Sequence, residues 1–382
     1  MSDENQGGPI PGEPIPGLTP DLVSPAPGPA EPSAGPPTPG MLAPSWPPGM
    51  LAWAVALAVL GLGALLLLQV EAAFLVGVAG LFVVAQGADV HPSWRRAQDA
   101  VAWITPVASA VFLGALAFLV VREGPPGPVR IAVACFSGLG ALASLAGLSD
   151  RTTDGLARLL FPGAGPGHTL RLTARVVLFT LWLALPAWFV FEDAGAAFLA
   201  DPAALVNSTS LSGGLVGYVV LALAGVGLLV RRDWRATFER LGLRAPGTAE
   251  LLVVPAGVLA LWLFNAGSES LQRSVFPALW ASDQRFTETL ARSMGPGLIV
   301  LLGLSAGVGE EITLRGALQP KLGIVLTSLL FAVLHVQYSW YGVLSIFFFG
   351  LILGLIRLRS STTACIVVHA VYNMLALVVS KP

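Results

Sequence analysis

Glu310 and Glu311 stand side by side, and Arg315 follows four residues after Glu311, all inside an apolar run from Gly297 to Leu318. The run is long enough to cross a bilayer, which takes about 20 residues of helix. Each charge costs roughly 2.5–3.5 kcal/mol at the bilayer centre, so this cluster opposes insertion unless its members are partnered or put to use. On a helix, Glu311 and Arg315 share a face and can pair, whereas Glu310 is turned about 100° away. That spacing predicts a division of roles. The carboxylate held by Arg315 stays ionised, and its poorly solvated neighbour is the proton acceptor, suited to general-base work.

Two further helices supply groups that could serve the same centre. Phe331 and His335 are four residues apart in the next apolar run, and His369 and Asn373 are four apart in the last one. A single intramembrane histidine usually has a packing role, but the second pair puts an imidazole and a carboxamide on one helix face, where both can meet one bound group. At 1.5 Å per residue, Glu310 and His369 each lie roughly 12 Å from the same end of their helices, and His335 lies roughly 18–20 Å in. One polar layer across three helices predicts a shared cavity containing water, open to the cytoplasm.

The elements that position these groups are membrane helices. Hydrophobic residues make up 55% of the 382 and charged residues 11%, against about 25% charged in a soluble domain. Mean hydropathy is +0.76. The composition predicts an all-α polytopic membrane protein. The net charge of −1 and the scattered arginines exclude a nucleic-acid partner. Cys135 and Cys365, far apart in apolar runs, read as two packed thiols. The wealth of Ala, Gly, Pro and Arg suggests a bacterial chain.

Residues 1–48 hold fifteen of the thirty prolines and no lysine or arginine, which predicts a disordered, partly polyproline-like spacer rather than a signal peptide. About eleven transmembrane helices follow, near 50–69, 72–87, 101–121, 130–148, 173–191, 214–230, 249–267, 297–318, 322–338, 341–357 and 361–379. With the N-terminus cytoplasmic, the inside loops carry thirteen basic residues and the outside loops and C-terminal tail six. Residues 49–230 form an N-terminal membrane region of no evident role, 231–248 a basic interfacial linker, and 249–382 the region carrying the polar motifs. Within the linker, Trp234, Phe238 and Leu241 at helical spacing among arginines predict a helix lying in the cytoplasmic interface. Ser268 to Met294 reads as a second interfacial helix, with a lid or substrate guide as its sharper interpretation. Gly350 and Gly354, four apart, predict close helix packing.

Glu310-Glu311 with Arg315 matches EExxxR, Phe331 with His335 matches FxxxH, and His369 with Asn373 matches HxxxN. In that order, on successive apolar helices over about Leu243 to Val379, the set resembles the CPBP family of intramembrane proteases, the CAAX prenyl proteases and bacteriocin-processing enzymes also called the Abi family. The resemblance implies an intramembrane endopeptidase at the cell membrane, hydrolysing a peptide or protein substrate near the cytoplasmic face. Glu310 would activate the water, Glu311 and Arg315 would be its supporting ion pair, and His335 would position or deprotonate the water. His369 and Asn373 would stabilise the oxyanion. The family is often described as metalloproteases, in which case Glu310, His335 and His369 would be the ligands of Zn2+. A glutamate and histidine mechanism without metal explains the same residues, and no HExxH sequence is present. A proton- or ion-coupled transporter is the alternative that intramembrane Glu, Arg and His also allow, though the halves show no inverted repeat. A non-catalytic immunity or scaffolding protein is a further one.

Overall fold

A computed structural model of the chain describes residues 48–124, 127–165, 167–202, 206–248 and 250–381. The proline-rich tail expected at residues 1–48 falls almost wholly outside them. The described residues belong to one compact unit, and every regular element among them is helical: α1 (Pro48–Leu66), α2 (Val70–Val90), α3 (Arg95–Glu123), α4 (Pro128–Ala146), α5 (Asp150–Leu160), α6 (His168–Ala200), α7 (Ser208–Val226), α8 (Trp234–Leu241), α9 (Glu250–Val275), α10 (Pro277–Ser293), α11 (Pro296–Leu304), two π-helical segments (Ser305–Glu310 and Ile312–Leu318), α12 (Gln319–Val333), α13 (Trp340–Arg359) and α14 (Thr362–Val379). Large side chains such as Leu51, Leu62, Phe118, Leu142 and Leu252 are exposed on the outside of the spans. A contiguous apolar surface of this extent is a membrane surface. The protein is an all-α polytopic membrane protein.

Among the described residues, ten helices are long and apolar enough to cross a membrane, and one of them runs as a single stretch from Pro296 to Val333. Thirty-eight residues of straight helix would measure roughly 57 Å, far more than a bilayer core. Gly323 resolves this. Its backbone sits at φ 75°, ψ 173°, a region open essentially to glycine alone, and there the chain reverses. The Arg315 guanidinium carbon therefore lies 4.6 Å over the Phe331 ring, two residues that a straight helix would hold roughly 24 Å apart. The span expected at 322–338 is the returning limb, and it is shorter than that. Its helix ends at Val333, so it reaches about 15 Å back from Gly323.

Other boundaries moved for local reasons. The helix expected over 249–267 runs on to Val275, and Pro277 breaks it, because the residue before a proline is driven out of the α region (Phe276 φ −131°, ψ 61°). The Ser268–Met294 segment is therefore the end of one membrane helix plus a separate helix, α10. In the basic linker, Asp233 caps α8 by accepting from the Ala236 amide at 2.8 Å, and Gly242 at φ 69° ends it. Trp234 and Phe238 are exposed while Thr237 and Leu241 are buried, which suits a helix lying flat at an interface. An amphipathic helix that sequence patterning did not anticipate, α5, is capped by Ser149 and tied to α6 by Asp154 and Arg171 at 2.6 Å. Of the two thiols, Cys365 is buried, whereas Cys135 is exposed on an apolar helix and is not packed as expected.

The close glycine packing does occur. A Cβ on Gly350 would come 3.0 Å from the Ser328 Cα, and one on Gly354 would come 2.5 Å from Ile324. The two glycines let α13 lie directly against the returning limb α12, which positions both histidine-bearing segments beside the π-helical one.

Candidate active site

The acidic pair lies at the junction of the two π-helical segments, Glu310 ending the first and Glu311 preceding the second. The widened π turn is uncommon and concentrates at functional sites. Glu311 and Arg315 are 0% exposed, with Arg315 Nε 3.3 Å from Glu311 Oε2. That oxygen has no well-aligned hydrogen bond, so the contact is ionic in character. Arg315 also donates to the Gly350 carbonyl at 3.3 Å and stacks on Phe331. The other oxygen of Glu311 meets His369 Nδ1 at 2.9 Å. Glu311 is thus a buried anion shared between a guanidinium and an imidazole.

Phe331 is the hub of the arrangement. Its ring packs against Arg315, against His335 with centroids 4.8 Å apart and against His369 with centroids 5.7 Å apart. Its carbonyl faces His335 Nδ1 at 2.8 Å. A carbonyl only accepts, so that nitrogen carries the proton and Nε2 of the neutral ring keeps its lone pair. The same reasoning applies to His369, whose Nδ1 donates to the Glu311 carboxylate. Both histidines are oriented through Nδ1, leaving Nε2 for chemistry.

Glu310, His335, His369 and Asn373 all line one cavity of about 800 Å³. Glu311 and Arg315 do not line it and lie behind its wall. Glu310 is only half-buried, yet its Oε2 is enclosed and has no protein partner, an arrangement suited to holding a water. Among the described residues, no three His, Cys, Asp or Glu side chains are placed to hold a metal ion. As positioned, Glu310, His335 and His369 therefore do not form the three-ligand set of an open zinc site.

The cavity also has walls that motif spacing did not reveal. Glu71, in the first turn of α2, lines it and lies near enough to Glu310 for their charges to interact. At the end of an apolar run, Glu71 reads as a boundary residue, and nothing local distinguishes it from one. Tyr218 of α7 lines it too, with its side chain against Gly309, and its carbonyl accepts from Thr313 Oγ1 at 3.1 Å. Helix α10 contributes Trp280, Gln284 and Thr287. Its Asp283 clamps the loop after α12 by accepting from the Ser339 amide at 2.8 Å, the Ser339 hydroxyl at 2.7 Å and Gln272 at 2.8 Å. The segment considered as a lid is one wall of the cavity.

Residues 293–375 match the family model described as type II CAAX prenyl endopeptidase Rce1-like. The match contains all three motifs and ends before Ala376. No curated protein and no solved structure matches the chain.

Proposed function

We propose, from the match of residues 293–375 to the type II CAAX prenyl endopeptidase model, that the chain is an intramembrane endopeptidase in which Glu310 activates a water molecule within the polar cavity. The observation that carries this reading is the convergence of Glu310, His335, His369 and Asn373 on one cavity, with the Glu311–Arg315 pair buried behind them. Glu310 takes a proton from the water, and the hydroxide attacks the scissile carbonyl. His335 Nε2 accepts a hydrogen bond from the same water and fixes its approach. The Asn373 amide donates to the developing oxyanion, joined by Nε2 of His369 when that ring is protonated. Glu310 then returns its proton to the leaving amine, which balances the reaction as a hydrolysis.

The basic ends of the helices, including Arg232, Arg240 and Arg357, lie on the side assigned to the cytoplasm by the positive-inside rule. The same rule puts Gln272, Asp283 and Ser380 of the cavity lining at the opposite end of the bundle, against the expected opening to the cytoplasm; the substrate is a peptide or a membrane protein. The test is to incubate the purified full chain, in proteoliposomes, with a peptide library in H2 18O. New carboxylates carrying 18O are expected. An intact library, with the protein folded by circular dichroism, would overturn the assignment.

A further inference from the structure

A second cavity, of about 530 Å³, shares Tyr218 and Leu334 with the lining of the first. Its charged lining is lopsided among the described residues: Arg231, Arg232, Arg240 and Lys321 against the acid Asp89. Asp89 is already engaged, accepting from the His168 amide at 2.7 Å and the Thr169 hydroxyl at 2.6 Å, with Arg231 3.5 Å away. Arg232 is met by the Val226 carbonyl. Arg240 donates to the carbonyls of Gly316 and Ala317 at 2.9 and 3.1 Å. Neither arginine has a carboxylate partner among the described residues, and Lys321 is exposed beside the hairpin at Gly323. Burial and the like charge of neighbouring arginines push Arg232 and Arg240 down from the ordinary guanidinium value, as expected for gathered cations short of counter-charge.

Beyond this basic end the lining turns apolar, with Phe82, Val177, Leu221 and Leu330. A cationic mouth at a helix-terminal layer, opening into an apolar space between membrane helices, is the form of a headgroup site. Its size lies within the roughly 300–1,000 Å³ of ligand pockets.

We infer that this cavity binds an anionic phospholipid, its phosphate held by Arg231, Arg232, Arg240 and Lys321 and part of an acyl chain lying in the apolar interior. Thr313 and Leu314 line the cavity, and Arg240 holds the turn just after Arg315. The lipid therefore braces the outer face of the π-helical segment that follows the acidic pair and carries Arg315.

The test is native mass spectrometry of the full chain in detergent, titrated with dioleoylphosphatidylglycerol, dioleoylphosphatidylcholine or inorganic phosphate. The glycerol lipid is expected to be retained in clear preference to the choline lipid. Removing one cation, in Lys321→Ala or Arg232→Ala, is expected to weaken it about fivefold. Lys321→Ala is the safer variant, since that side chain is exposed. Filling the interior with Val177→Trp is expected to abolish lipid retention. Equal retention of the two lipids, or no response to either cation variant, would overturn the inference. Binding of inorganic phosphate as tight as that of the lipid, and indifferent to Val177→Trp, would overturn it in favour of a free anion. The readout is binding rather than cleavage, so its failure leaves the proposed hydrolysis untouched.

Discussion

Glu311 and Arg315 form a pair with no access to solvent, and removing one member leaves the other charge uncompensated. Arg315→Met is expected to destabilise the protein by about 3–5 kcal/mol, as breaking a buried pair commonly does, read as a lowered thermal midpoint in detergent. Arg315→Lys keeps the charge but loses the Gly350 contact and the planar stack on Phe331, so it should recover only part of that loss. Glu71 is expected to behave differently. Glu71→Gln removes a like charge from the neighbourhood of Glu310 while leaving the pair behind the wall intact, so the midpoint should hold while the rate of cleavage changes. An unchanged rate would remove Glu71 from the site. For metal, cleavage is expected to survive 1,10-phenanthroline, because the three candidate ligands, though they line one cavity, are not placed to hold a common ion. Inhibition that is reversed by added Zn2+ would restore the zinc set.

At the level of elements, the hairpin at Gly323 holds the second motif against the first. A Cβ there meets nothing within 4 Å, so the effect of Gly323→Ala is backbone strain alone, of order 1–3 kcal/mol. The variant should lower both the thermal midpoint and the rate, whereas Gly267→Ala, also without neighbours within 4 Å but on an ordinary helix, should do neither. The Glu311–Arg315 pairing was legible because i, i+4 spacing brings the two together even in the widened turn, and His335, just beyond the end of α12, still packs on Phe331. The π-helical turns were not legible. They depend on packing against α7 and α14 rather than on any local pattern, and the separation of Glu310 from Glu311 is set by that packing instead of by a 100° rotation. The short return of α12 was missed for a related reason: Leu334 to Tyr338 contain no proline or glycine to stop a helix, but they form a loop whose end Asp283 clamps at Ser339.

For the whole molecule, membrane embedding was written in composition, since 11% charged residues cannot cover a soluble surface of this size. The role of the N-terminal half was not. Its contributions, Glu71, Trp188 with its indole donating to the Tyr338 carbonyl at 3.0 Å, and Tyr218, are single residues whose importance comes from what they face across the bundle. The charge bias also makes an orientation prediction: a cysteine introduced at Arg359 should be labelled by an impermeant maleimide only from the cytoplasmic side, and one at Ser274 only from the opposite side. Reversed labelling would invert the topology without altering the cavity.

The central claim is that Glu310 is the base of a hydrolytic site inside the bilayer. Its most direct test is the initial rate of peptide cleavage by the full chain in proteoliposomes, compared between the natural protein and Glu310→Gln. The isosteric amide should insert and fold normally yet lower the rate by about 10²–10⁴-fold, the usual contribution of a positioned general base. A folded Glu310→Gln protein that cleaves at the natural rate would contradict the account.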